Sequence, residues 1–179
     1  HIVRGEVCDT DGYPLEYFNL VLENPADSTY LQGNTYYSGT FECPLLGMDE
    51  IMLHFSSLGF NDTYVKVNPF SNAPIRVVMQ PSVIDDVIVA ARTVNVFRGK
   101  TTILVGGTAL GNLSDVEDIL KRVPSVRADK DEILIFGKGT PLIFIDNRKA
   151  SYEELKLLLP SEIVSIEVDR NPSARYDAQ

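Results

Sequence analysis

Apolar and polar residues alternate in short runs through the first part of the chain. Val3, Gly5 and Val7 fall on one side of an extended segment, Val3–Val7. Short strand-like runs bounded by turn signals follow at Tyr17–Leu22, Thr40–Cys43, Ile51–Phe55, Tyr64–Val67 and Ile75–Met79. A period of two sends successive side chains to opposite faces, so each run predicts a strand. Gly, Asn, Pro and Ser clusters separate the runs, and no helical period is sustained. Short strands with frequent turn signals predict an all-β sandwich over residues 1–80. Asp9-Thr10-Asp11-Gly12 is one such turn, with Gly free to take a positive φ and Asp bonding the local backbone.

The pattern changes after Gln80-Pro81-Ser82. Thr101–Val105 reads as a strand. Ser114-Asp115-Val116-Glu117 reads as a capping box, and Val116, Ile119, Leu120 and Val123 then form one apolar helical stripe that Pro124 ends. Glu132–Phe136 and Leu142–Ile145 read as strands joined through Gly137-Lys138-Gly139-Thr140. Ile143-Phe144-Ile145 is expected to be buried and to run straight into a tight polar turn at Asp146-Asn147-Arg148. A second capping box, Ser151-Tyr152-Glu153-Glu154, opens a helix over Ser151–Leu159 that Pro160 closes, and Ile163–Val168 alternates as a last strand. The order β-α-β-β-α-β predicts an α+β unit with two helices on one face of a compact sheet. Pattern alone also fits ferredoxin-like regulatory domains.

Charge divides the chain at the same place. Residues 1–80 hold 3 Lys and Arg against 10 Asp and Glu, and residues 81–179 hold 13 against 15. We therefore divide the 179 residues into two domains, 1–80 and 93–179, with 81–92 as linker. The net charge of −9 argues against nucleic acid, whose phosphates need clustered cations. No apolar run of about 18 residues is present to span a membrane as a helix. No signal peptide is legible, and His1-Ile2-Val3-Arg4-Gly5 reads as a processed or engineered start. By alternation Cys8 faces away from Val7, while Cys43 shares the inward face of Phe41, so a bridge between them is not expected.

Candidate chemistry is sparse. Asp9-x-Asp11-Gly12 lacks the preceding acid of a calcium loop, because Val7 stands there. His54, between Leu53 and Phe55, reads as a structural histidine. Asn61-Asp62-Thr63 fits a glycosylation acceptor, a pattern common by chance. Gly99-Lys100-Thr101 lacks the P-loop glycine, with Val94 in its place, and Gly106-Gly107 with Gly111 has the wrong spacing for a dinucleotide fingerprint. No Cys/His cluster has zinc spacing and no nucleophile is paired with a base, so neither catalytic residue, metal nor cofactor is expected and the chain does not read as an enzyme. The segment Asp85, Asp86, Val87, Ile88, Val89, Ala90, Ala91 is acidic and then β-branched. It suits either pairing with a partner's sheet edge or an internal strand, and its residues alone favour neither.

Val3-Arg4-Gly5-Glu6-Val7-x-Asp9-x-Asp11-Gly12-x-Pro14-Leu15, Gly39-Thr40-Phe41 and Ser57-Leu58-Gly59-Phe60 resemble the carboxypeptidase regulatory-like domain, a seven-stranded, transthyretin-like sandwich without catalytic residues. Asp118-Ile119-Leu120-Lys121-Arg122-Val123-Pro124-Ser125-Val126 begins a second, colinear resemblance. It continues through Ile133-x-Ile135-x-Gly137-Lys138-Gly139-x-Pro141, Phe144-Ile145-Asp146-Asn147-Arg148, Glu154-Leu155 and Ile163-x-Ser165-Ile166-Glu167-Val168 to Pro172-Ser173-Ala174-Arg175-Tyr176-Asp177-Ala178. This series is similar to the plug domain of TonB-dependent outer-membrane receptors. That family usually carries Gly where Ser125 and Asn147 stand; Asn147 is a mild change and Ser125 suggests a different turn. The resemblance implies a β-barrel of about 22 strands following Ala178, which takes more than about 200 residues in strands and so lies outside this chain. It implies an outer-membrane location with this part on the periplasmic side, gated import of a nutrient, and Asp85–Ala91 in the position of the TonB box. The partners it implies are a TonB-type energy-coupling protein, the receptor's own barrel and a surface lipoprotein. The alternative is a periplasmic binding or signalling module without a barrel. A fragment of a zinc carboxypeptidase is disfavoured because no HxxE pair occurs.

Overall fold

The structure, a computed structural model, describes residues 1–45, 47, 49–68, 70, 73–84, 87–88 and 94–172, with 83–84 and 87–88 described in their backbone alone. Strand is the dominant element. The N-terminal half contributes β1 (Ile2–Cys8), β2 (Tyr17–Glu23), β3 (Tyr30–Tyr37), β4 (Thr40–Pro44), β5 (Ile51–Ser56), β6 (Thr63–Val67) and β7 (Ile75–Val78). They form two sheets, β4-β1-β7 and β3-β2-β5-β6, with β7 parallel to β1 and the other pairs antiparallel. The alternation read from the sequence faces these sheets toward a shared core of Val7, Phe18, Leu20, Phe41, Leu53 and Phe55. Phe41 and Phe55 meet edge to face with centroids 5.4 Å apart. Each such side chain contributes about 1.5–3 kcal/mol when fully buried.

Two features of this half were not legible beforehand. β3 is an edge strand with half-buried residues, Gly33 and Asn34 in its interior, and a register shift opposite Leu22/Glu23, so it shows no alternation. β2 is buried on both faces from Tyr17 to Leu22. Phe18, Leu20 and Leu22 point into the core between the sheets, while Tyr17 belongs to a second core formed with the C-terminal half. The Asp9 turn is formed as read: the Asp9 carboxylate accepts from the amides of Asp11 and Tyr13, and Gly12 has φ +87°. Cys8 and Cys43 are both buried and both free; Cys43 pairs in register with Val3 across β1 and β4, and the Cys8 thiol lies 3.7 Å from the Val77 carbonyl.

Residues 80–82 lie against the N-terminal half. Asn61 N–H donates to the Gln80 carbonyl and Ser82 N–H to the Gly59 carbonyl. Beyond them, β8 (Val83–Ile84) pairs antiparallel with β9 (Val87–Ile88). The C-terminal half holds a three-stranded antiparallel sheet in the order β10 (Val94–Phe97), β11 (Lys100–Leu104), β16 (Ser165–Asp169). Two hairpins accompany it, β12 (Val126–Ala128) with β13 (Ile133–Ile135), and β14 (Ile143–Ile145) with β15 (Arg148–Ala150). The single compact sheet expected here is therefore divided into three pieces. The cause at β14 is local: Asp146 and Asn147 both have positive φ, +49° and +63°, the geometry of a type I′ turn, which folds β14 back onto β15. β14 is half-buried rather than buried.

Two short helices complete this half, α1 (Val116–Leu120) and α2 (Tyr152–Lys156). The stripe Val116, Ile119, Leu120 and Val123 is buried with Ile103 and Val105, as its spacing predicts. The first cap differs from the expected Ser114 box. Asp115 is the N-cap, extended at φ −148°, and its carboxylate accepts from Asp118 N–H. An acid one residue closer to the helix satisfies the first turn directly. At α2 the reciprocal Ser151/Glu154 box forms as read, but the helix ends at Lys156 and Pro160 starts a separate turn of 3-10 helix, Pro160–Glu162. Among the described residues no helix is long and apolar enough to cross a membrane, which has no bearing on β-barrels.

Ser125 sits in the left-handed region at φ +70°. Its N–H donates to Thr35 Oγ1 at 2.7 Å, and its carbonyl accepts from Phe136 N–H at 2.9 Å. These bonds hold a conformation that costs an L-residue about 1–2 kcal/mol. Ser125→Gly is expected to keep both backbone bonds, relieve the strain and raise stability by up to about 1 kcal/mol, with Ser125→Ala showing no such gain. Urea-unfolding midpoints of the two variants measure it.

Candidate functional site

Two regions carry the chemistry, the junction between the halves and the segment that links them. The junction begins where α1 ends. A helix end leaves carbonyls without intrahelical partners. Here the carbonyls of Lys121, Arg122 and Val123 accept from side chains of the other half: Ser56 Oγ at 3.1 Å, Tyr17 Oη at 3.2 Å and Asn19 Nδ2 at 2.8 Å. Asn19 is fully buried, and its Oδ1 accepts from Thr35 Oγ1 at 2.7 Å and approaches Ser125 N at 3.3 Å. Ser125 N–H in turn donates to Thr35 Oγ1, so the three residues form a closed chain of bonds. Tyr17 Oη also accepts from Leu58 N–H at 3.2 Å, and burial pushes its phenol well above the ordinary range. Gly33 lies so close to the Phe136 ring that a Cβ there would overlap it, which fixes how deeply β3 seats on the C-terminal half.

A charged cluster borders this polar seam. Arg122 Nε donates to the Phe60 carbonyl at 3.2 Å, and its guanidinium pairs with Asp62 at 3.2 Å. His54 stacks on Tyr64 with centroids 4.3 Å apart. Its Nδ1 lies 3.0 Å from Glu23 Oε1, and its Nε2 lies 3.4 Å from Asp62 Oδ2 without the geometry of a hydrogen bond. Burial alone would lower the His54 pKa, but the facing Asp62 and Glu23 carboxylates outweigh it and raise the value above its ordinary 6.5. Burial likewise works to raise Asp62, and His54, Arg122 and Lys121 outweigh it and hold it below 3.8. The two carboxylates thus lie at opposite edges of the ring, Glu23 at Nδ1 and Asp62 at Nε2. His54 sits in its strand beside the seam, between the Glu23 and Asp62 carboxylates.

The linker segment is the other region. Of its seven residues the structure describes Val87 and Ile88, in β9; Asp85, Asp86, Val89, Ala90 and Ala91 lie outside the described residues. Val83 faces Ile88 and Ile84 faces Val87, a pairing of two residues a side. β10, the next strand, is an edge of its sheet and exposes Val96 and Phe97. Among the described residues, no three His, Cys, Asp or Glu side chains are grouped to hold a metal ion.

The sequence reading missed the seam. Its signal was Asn19, a polar residue inside an apolar run, which predicts a solvent-facing position when only one face of a strand is assumed buried. No family model matches the sequence, and no curated protein matches it.

Removing the Asn19 side chain strands the Thr35 hydroxyl and part of the Val123 carbonyl. Asn19→Ala is expected to cost about 1–3 kcal/mol in urea unfolding, with the loss shared by probes of both halves. For His54 the folded pKa is raised, so its contribution is complete below the unfolded value of 6.5 and is lost as pH rises through the folded value. Unfolding free energy measured from about pH 5 to about pH 8 is expected to fall across that window, and His54→Gln to flatten the fall. Asp62 acts with the opposite sign, its contribution being lost as pH drops below 3.8 through its lowered folded value.

Proposed function

We propose that this chain is the N-terminal periplasmic and plug portion of a TonB-dependent outer-membrane receptor, which gates import of a nutrient through a following β-barrel. The observation that carries the reading is the backbone at Ser125 and Asn147, φ +70° and +63°. These are the two positions where the resembled family has glycine. Glycine is the residue that enters this region without strain, so left-handed backbone stands here at both positions where the resembled family usually has glycine. Gly137 and Gly139, within the matching Gly137-Lys138-Gly139 stretch, also have positive φ, +70° and +85°.

The N-terminal half supports the same reading. With β3 included, its described strands number seven in sheets of three and four, in keeping with a seven-stranded regulatory-like sandwich. In this reading residues 1–80 are the sandwich, 81–92 the linker and 93–179 the plug. Asp85–Ala91 serves as the TonB box, leaving its short pairing with Val83–Ile84 to add a strand to the coupling protein. Outer membranes lack ATP, so energy arrives as force on that strand, which loosens the plug.

The decisive sequence is what the gene encodes after Gln179, expected to be a long series of alternating strands. The coupling step is tested with Val87→Pro, which removes a backbone donor. In the whole receptor, energised uptake is expected to drop to background while the receptor still reaches the outer membrane. Uptake equal to wild type would remove the coupling role from this segment.

A further inference from the structure

Asp62 stands between two basic side chains that come from different halves of the molecule. Its Oδ2 lies 3.4 Å from Nε2 of His54, on β5, and its Oδ1 lies 3.2 Å from Nη2 of Arg122, just past α1. Neither contact is a complete hydrogen bond: His54 Nε2 and Asp62 Oδ1 are both buried without a hydrogen-bond partner. Buried polar atoms left in this state are costly. Arg122 is held by other bonds, from Nε to the Phe60 carbonyl at 3.2 Å and from Nη1 to the Asp118 carbonyl at 2.6 Å. The carboxylate is therefore the member that can turn. Turning toward the ring or toward the guanidinium completes one bond and lengthens the other contact.

The groups around His54 divide by half. On the N-terminal side, Glu23 of β2 meets Nδ1 at 3.0 Å and Tyr64 of β6 stacks on the ring at 4.3 Å. Lys66, two residues along β6, is turned to Glu50 at 2.8 Å. The C-terminal half brings Arg122 and Lys121, which both hold the Asp62 carboxyl below its ordinary range. It also brings one acid, Asp118, which pairs with Lys121 at 2.6 Å and lies 4.0 Å from Arg122. The charge that this half sets against Asp62 is thus net positive.

We infer that His54 and Arg122 compete for Asp62, so that a proton on His54 loosens the seam between the two halves. Parting the halves carries Arg122 and Lys121 away and leaves Asp62 to His54, with Glu23 still in place. An imidazolium gains from that change and a neutral ring does not. Coupling is reciprocal: the factor by which docking weakens proton binding at His54 is the factor by which the proton weakens docking. The sign is opposite to that for the whole fold. Against the unfolded chain the His54 pKa is raised, so acid favours the folded molecule. Against a state with the halves parted and the sheets intact it is lowered, because the cations of the C-terminal half are absent there. Docking is therefore complete above the parted state's value and weakens as pH falls through it toward the docked value, which itself lies above 6.5.

The test is NMR of the 179-residue chain, following amide hydrogen exchange, corrected for its intrinsic pH dependence, and the titration of the His54 ring. The Ser125 amide, bonded to Thr35 across the seam, reports opening between the halves. The amides of β1, the middle strand of its sheet, report the fold away from the seam. From about pH 9 to about pH 6, Ser125 protection is expected to fall at least about threefold while β1 protection holds or rises. His54→Gln is expected to abolish the fall at Ser125. Arg122→Gln is expected to raise the His54 titration midpoint by about half a pH unit or more, a readout that a purely structural arginine would not move. Ser125 protection that is constant or rises in acid overturns the inference, as does an equal fall in His54→Gln. An unchanged or lowered His54 midpoint in Arg122→Gln overturns it as well. Should either variant fail to fold, the wild-type ratio of Ser125 to β1 protection decides alone, and a ratio independent of pH overturns the inference.

Discussion

The chain leaving α1 turns three backbone carbonyls toward the N-terminal half, and that half bonds to all three. Ser56, Tyr17 and Asn19 reach the carbonyls of Lys121, Arg122 and Val123 from the outer face of one sheet. A helix of five residues has little stability of its own, since nucleation costs as much as its few bonds return. Its burial and its C-terminal bonding come from elsewhere, and part of both is supplied across the seam. The same contact makes β2 a strand buried on two sides, so one stretch of seven residues serves two cores.

That seam changes how the halves relate. The composition break at Gln80-Pro81-Ser82 marks the expected linker. There residues 80–82 bond to Gly59 and Asn61, while Asn19, Thr35 and Ser125 close a ring of bonds between halves. The His54–Asp62–Arg122 cluster lies at its edge. Buried polar networks of this kind are costly when half-satisfied and specify one arrangement when complete. The register between the halves is therefore set by hydrogen bonds and by the close seat of Gly33 on Phe136, not by apolar area alone.

Much of the fold was legible because its signals are local. Short strand-like runs between turn signals located β1, β2, β4, β5, β6 and β7, and a helical period located the buried face of α1. The Ser151/Glu154 box was legible because both partners lie within one turn. What failed was non-local. β3 owes its existence to pairing with β2 and carries no period of its own. Ser125 is left-handed because Thr35 and Phe136, distant in sequence, hold its backbone. The separation of β14 from β16 depends on a turn whose hand was not specified by the apolar pattern. Of the candidate coupling segment, the acidic and β-branched character was legible, and the structure adds the pairing of Val87 and Ile88 with Val83 and Ile84.

The two free thiols have a use that their packing creates. The sequence holds two cysteines, and both lie in the N-terminal half, at 5% and 1% exposure. Burial lifts the Cys43 thiol to about 11, so neither access nor ionisation favours attack while the sheets are closed. An alkylating reagent then reads the opening of that half alone, without a label being added. Slow modification would follow the sandwich's own breathing, and the C-terminal half would remain silent to the same reagent.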